Sequence, residues 1–405
     1  MRAIAILQRM LRKSLCSVHR ARISAMFVAV RALLSGGRLS LTALGRSVRS
    51  KVAPKHNIKR IDRLLGNARM HEDLPSFFRA LTQLVVGECR QPIILVDWTQ
   101  VGREHYALSA GIAVCGRALP IYWEVHPKRF EKNRRVHDRF LDTLQRLLPC
   151  DSTPIIVTDG GFQSPWFRSV EQRGWDYVGR LSGAVAIRGH GTKSWRIGQQ
   201  LYSEATSKVI DLGLCQVTQS SPISQRVVLG KRFTPKPKRW PAKPRRTDRG
   251  RGYRRTRLRC QQPWLLASSL VDVGVNQITA IYATRMQIEE LYRDTKNHRF
   301  GWSFEDACCK SSKRYTVLLL IASMATIALT LIGQAAESLC CHHRYQANTI
   351  KSRRVLSLFF LGKSMVQRGD HQQLLMQHLQ AASETIRNKI CSLSIDNTSD
   401  FLGIP

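Results

Sequence analysis

Uninterrupted apolar runs, each closed by a single acidic residue, set the pattern of this chain. Pro92-Ile93-Ile94-Leu95-Val96-Asp97-Trp98 and Pro154-Ile155-Ile156-Val157-Thr158-Asp159-Gly160-Gly161 read as short β-strands ending in an aspartate. Between them the sequence predicts a meander from Tyr106 to Glu124 and a helix from His137 to Leu148. Strands and a helix in that order predict a three-layer α/β core, in which neighbouring strand ends bring the two aspartates together across 62 positions.

A helical period takes over from Gln277 to Lys296. Tyr282, Arg285, Glu289 and Lys296 are three, four and seven residues apart, which on a continuous helix puts all four on one face, beside an apolar stripe of Ile281, Ile288 and Leu291. The neighbouring Glu290 points about 100° away. The plainer reading is an amphipathic helix with a salt-bridged outer face, since Arg285 and Glu289 are an i, i+4 pair.

Punctuation divides the remainder. Residues 1–75 are Arg-rich and helical, with a short helix-turn-helix-like entry at Leu39 to Val48 and a basic helix from Lys55 to Asn67 that offers Lys55, His56, Lys59, Arg60 and Arg63 to a DNA groove. A solvated basic bundle that only neutralises phosphate fits the same residues. Residues 76–165 form the first part of the core. Between Asp159 and Glu289 lie 129 residues, far more than one crossover needs, so 166–270 are expected to be a β-rich insertion. It contains a basic arm at 231–259, with 14 Lys or Arg among 29 residues and four prolines, too polar to bury a core. The second part of the core follows at 271–335, then a helical C-terminal region at 336–405.

The longest apolar stretch, Val317 to Ile332, holds Ser323, Thr326 and Thr330 and is shorter than the roughly 20 residues a membrane span needs, so it predicts a buried core helix. The N-terminal segment is broken by charge too early for a signal-peptide core. The expected location is therefore the cytoplasm, on nucleoid DNA. Eleven scattered cysteines give no disulfide framework, and Cys340-Cys341-His342-His343 lacks the ligand gaps of a zinc site.

Charge narrows the partner. Against 28 Asp and Glu stand 64 Lys and Arg, a formal +36, which predicts binding to a polyanion through counterion release. Three carboxylates, Asp97, Asp159 and Glu289, can hold two divalent cations about 4 Å apart for phosphodiester chemistry. Hard oxygen donors of this kind suit Mg2+, with Mn2+ able to substitute. Arg285 supplies a planar fork, Lys296 a point charge and Tyr282 a hydroxyl for phosphate.

These residues carry a resemblance. The segment Tyr282 to Lys296 matches the Tyr-x2-Arg-x3-Glu-x6-Lys signature of bacterial DDE-class insertion-sequence transposases. Together with Lys55 to Asn67 and Leu95-Val96-Asp97-Trp98 it resembles the insertion-sequence-ten group of the insertion-sequence-four family, from about residue 28 to about 363. The resemblance implies an RNase H-like catalytic core in which Asp97, Asp159 and Glu289 bind the metals, with the β-rich insertion, the helical DNA-binding domain and the helical C-terminal region around it. It implies cut-and-paste transposition: hydrolysis at the element end, hairpin formation and opening, and 3′-OH attack on target DNA. Tyr282, Arg285 and Lys296 match positions that hold the 5′ phosphate and distorted end. Trp264 resembles the aromatic that receives a flipped base, for which a stacking face is needed; on the residues alone it is equally a strand-core tryptophan. Terminal inverted repeats, target DNA and a second transposase in a paired-end complex are the implied partners. The alternative is a catalytically inactive DNA-binding relic or regulator of the same descent, and a nuclease that cuts without joining is a third reading.

Overall fold

Apolar residues recurring three and four apart make the chain helical from Arg2 almost without interruption to Val86. The structure, a computed structural model, describes residues 2–231, 262–347 and 349–393. Contacts divide the chain into two units, 1–155 with 284–405 and 156–283. The first unit opens with α1 (Arg2–Leu11), α2 (Arg20–Gly36), α3 (Leu41–Ser47), α4 (Pro54–Gly66) and α5 (Ala68–Val86). Asn67 caps α5, its side-chain oxygen accepting from the Met70 amide at 3.1 Å. Helices α3 and α4 cross closely at Gly45, where a Cβ would lie 2.5 Å from Ile58 Cα.

The run after Pro92 forms β1 (Ile93–Val101), followed by β2 (His105–Val114) and β3 (Arg117–Pro127) in an antiparallel meander. Cys115 and Gly116, both at positive φ, make the tight turn between β2 and β3. Asp97 pairs with Ser109, and Ser109 with Trp123. Helix α6 (Arg134–Leu147) follows, capped by Asn133.

The second unit is mainly sheet. Its strands are β4 (Ile155–Thr158, whose first residue belongs to the first unit), β5 (Asp176–Arg180), β6 (Ala186–Gly189), β7 (Arg196–Ile197), β8 (Ile210–Val217), β9 (Ile223–Gly230) and β10 (Trp264–Ser268). They lie in the order β4-β5-β10-β9-β8-β6-β7. Helices α7 (Ser164–Glu171), α8 (Gly198–Leu201) and α9 (Val275–Ala283) complete the unit. Phe167 stacks on Tyr177 at 4.6 Å, and a Cβ at Gly179 would run into the Phe167 ring at 2.3 Å. The basic arm expected at 231–259 lies, apart from Lys231, outside the described residues.

Back in the first unit come α10 (Met286–Lys296), α11 (Ser312–Ser338), α12 (Leu358–Arg368) and α13 (Met376–Ser392). The apolar stretch from Val317 to Ile332 is the middle of α11, which is long and apolar enough to cross a membrane by length and composition but is 94% buried over its most apolar window. It packs on β3, α2, α5, α12 and α13, as the expected core helix. Its polar residues are satisfied inside: Trp123 Nε1 donates to Ser323 Oγ at 3.0 Å and Trp302 Nε1 to Thr326 Oγ1 at 3.1 Å.

Candidate active site

Strand alternation puts Asp97 and Thr99 on one face of β1, and α10 lies across that face. Asp97 is only 8% exposed, so its carboxylate needs partners. The Trp98 amide donates to Oδ1 at 2.8 Å and Arg285 Nη1 to Oδ2 at 3.3 Å. The same Nη1 donates to Glu289 Oε1 at 3.2 Å. A strand carboxylate and a helix carboxylate thus converge on one cationic nitrogen, which a purely outer-face ion pair would not do.

Lys296 closes the other end of the helix face. Its Nζ donates to Thr99 Oγ1 at 2.7 Å. Burial lowers its pKa from the ordinary lysine value, while the charges of Glu305, Glu289 and Asp97 push it back up. Two carboxylates and two cations therefore share this face of the first unit.

Behind them lies a fully buried hydroxyl cluster that sequence reading does not find. Tyr292 Oη donates to the Asp97 main-chain oxygen at 3.1 Å and lies 2.7 Å from Ser109 Oγ. Burial, with the nearby Asp97 charge, holds the Tyr292 phenol well above its ordinary pKa, so it stays protonated. The available signal was its position three residues after Glu289, on the next turn of the same helix.

The continuous helix expected from Tyr282 to Lys296 is corrected. Thr284 and Arg285 form a turn between α9 and α10, and the unit boundary falls there. The amides of Gln287 and Ile288 reach back only three residues, to the carbonyls of Thr284 and Arg285, the tighter pattern of a helix start. The single face of four residues is thus a face of three, Arg285, Glu289 and Lys296. Tyr282 belongs to α9 and is buried, its ring meeting Trp264 edge-on at 5.0 Å. Trp264 itself is half-buried at the start of β10. Ile281 in α9, and Ile288 and Leu291 in α10, are each buried, and Glu290 points aside to pair with Arg117 at 2.9 Å and with Arg293.

Asp159 follows β4 in the second unit and is half-buried. Its Oδ1 accepts from the Gly161 amide at 2.8 Å, and a Cβ at Gly161 would lie 2.9 Å from that oxygen. Among the described residues no three His, Cys, Asp or Glu side chains stand together as a metal cluster. The donor chemistry nonetheless suits a hard divalent cation, because Asp97 and Glu289 already aim oxygens at one positive centre.

On α4, Asn57, Ile61, Leu64 and Leu65 face inward, while Lys55, His56, Lys59, Arg60 and Arg63 are all exposed. The neighbouring Asp62 is paired with Arg314.

Residues 88–328 match the family described as Transposase DDE domain. That is over half of the chain, and the chain belongs to this family. Its chemistry is DNA phosphoryl transfer, for which divalent metal ions are the family's general requirement. A cryo-EM structure of a piggyBac transposase synaptic complex with hairpin DNA is similar over 95% of this chain and 83% of that one, at 13% identity and a TM-score of 0.38. No curated protein matches the chain in sequence.

Proposed function

We propose that this chain is a cut-and-paste DNA transposase of the insertion-sequence-four family, close to the insertion-sequence-ten group, with an RNase H-like core. The observation that carries the reading is the convergence of Asp97 and Glu289 on one cationic nitrogen, inside the matched transposase domain. Asp97, Glu289 and, by its sequence context, Asp159 would hold Mg2+, or Mn2+ in its place. When bound, the metal activates the attacking oxygen and stabilises the leaving oxygen of a phosphodiester.

The protein's own groups do the rest. Tyr292 and Ser109 fix the Asp97 main chain against the Glu289 helix, so the two carboxylates keep their spacing. Arg285 and Lys296 bind and orient the 5′ phosphate at the element end. Trp264, edge-on to Tyr282 and half-buried, would offer a stacking face to a base extruded during hairpin formation. The exposed basic face of α4 grips terminal-repeat DNA, two copies pair in the end complex, and the protein works in the cytoplasm on nucleoid DNA.

The test is cleavage and joining of a supercoiled donor carrying the inverted repeats that flank the gene, in Mg2+, with wild type beside Glu289→Gln, Asp97→Asn and Asp159→Asn. Excised, hairpinned and inserted products that vanish in each variant while DNA binding persists are expected. Cleavage retained in one variant removes that residue from the ligand set. Binding without cleavage by the wild type would make the chain a DNA-binding relic, and cleavage without joining would make it a nuclease.

A further inference from the structure

We propose that Arg285 is a built-in counter-cation that keeps Asp97 and Glu289 closed to a divalent ion until a DNA phosphate draws the guanidinium away. The inference rests on the carboxylate reading above and adds an order of events: DNA first, metal second.

Three observations lead there. Arg285 Nη1 lies 3.3 Å from Asp97 Oδ2 and 3.2 Å from Glu289 Oε1, nearly equidistant from the two oxygens that a shared cation would use. A divalent ion bonded to those oxygens at about 2.1 Å would share them with a guanidinium at hydrogen-bond distance, and the two cations repel. Counting Lys296, this face carries two acidic and two basic side chains, so it is charge-balanced as it stands. A metal ion entering it would add an uncompensated double positive charge, unless a basic group left or an anion arrived.

The position of Arg285 makes it the group that moves. It sits at the N-cap of α10, the positive end of the helix dipole, where a cation is disfavoured, a cost that the two carboxylates offset. It lies in the turn between two helices rather than within one. Glu289, on its outer side, is 47% exposed and Arg285 itself 16%, so solvent reaches the ion pair from the Glu289 side. A phosphate presents the fork with a bidentate anion at least as well matched as a carboxylate.

By linkage, a phosphate that takes Arg285 away raises metal affinity, and bound metal raises DNA affinity by the same factor. A transposase so wired holds little metal away from DNA and is protected against stray hydrolysis.

The test is equilibrium Mn2+ binding, read from the electron paramagnetic resonance signal of the free ion, on the full-length protein with and without a short 5′-phosphorylated duplex. Wild type is expected to bind Mn2+ weakly alone and more tightly with the duplex. Arg285→Gln is expected to bind Mn2+ ~10-fold or more tightly without DNA, within the usual span of coupling factors, and to lose most of the response to the duplex. Arg285→Met is a second neutral replacement should the first not fold, and Arg285→Lys, which keeps the charge, should stay near wild type. DNA-free Mn2+ affinity unchanged or weaker in both neutral variants would overturn the gate. Glu289→Gln separates the two claims. If it loses Mn2+ binding while the neutral variants gain none, the gate alone fails; if it binds Mn2+ like wild type, the carboxylate reading fails and the gate with it.

Discussion

The buried hydroxyl of Tyr292 donates to the main-chain oxygen of Asp97 across 3.1 Å, tying the helix of one carboxylate to the strand of the other. Tyr292→Phe keeps the ring and removes that bond together with the 2.7 Å contact to Ser109 Oγ. Ser109 Oγ still reaches the Asp97 oxygen at 3.3 Å, so the loss of stability should be about 1 kcal/mol, a fall in Tm of about 2 °C or less for a chain of this size. DNA cleavage should suffer more, by about 10-fold or greater, because small displacements of reacting groups are costly. Single-turnover cleavage measured beside Tm decides it: a rate equal to that of wild type would make the hydroxyl cluster purely structural.

A different readout checks α4. Lys59 and Arg63 are exposed one turn apart, and each phosphate contact contributes about 0.9 to the slope of log K against log salt. Lys59→Gln with Arg63→Gln should flatten that slope by about 2 if both touch phosphate. Titrations of duplex DNA at several salt concentrations measure it, and an unaltered slope would place DNA elsewhere on the molecule.

Helices α11 and α12 meet at paired glycines. A Cβ at Gly333 would lie 2.1 Å from the Leu358 carbonyl oxygen, and one at Gly362 would lie 2.0 Å from that of Leu329. Both obstacles are main chain, which no rotamer change relieves, so Gly333→Ala and Gly362→Ala should each cost about 1–3 kcal/mol or more. Lower Tm and reduced soluble yield are the expected signs; a melting temperature equal to that of wild type in either would show that the helices separate easily.

What was legible in the sequence is what local pattern controls. The run from Ile93 to Val96 reads as a strand because it is short, wholly apolar and rich in β-branched residues, and α11 had to be buried because its apolar residues surround it. The exposed basic face of α4 follows from the spacing of Ile61, Leu64 and Leu65. The break at Thr284 and Arg285 was not legible, since Ala283-Thr284-Arg285-Met286 holds no proline or glycine and the apolar period runs straight through it. Nor were the partners of Asp97 and Thr99: Tyr292 is 195 positions from the one and Lys296 is 197 from the other. Which side chain answers a buried polar group across such distances is set by packing, of which a local pattern carries no trace. The two acids therefore stand out by local pattern, and the hydroxyls beside them do not.

Beside Asp97, the indole Nε1 of Trp98 donates to His137 Nε2 at 3.0 Å, an acceptor only while that nitrogen is unprotonated. Burial lowers the His137 pKa from 6.5 to about 4; Asp138 opposes the shift and His126 adds to it. In the unfolded chain the imidazole takes its proton near the ordinary value, so between the two the unfolded state binds more protons. The contribution of His137 to stability is complete above about 6.5 and is lost as the pH falls towards about 4, at up to ~1.4 kcal/mol per pH unit. His137→Gln keeps a side-chain acceptor for the indole and cannot titrate. Its Tm should therefore fall less steeply than that of wild type between about pH 7 and about pH 4.5, and parallel curves would assign the acid sensitivity to other groups.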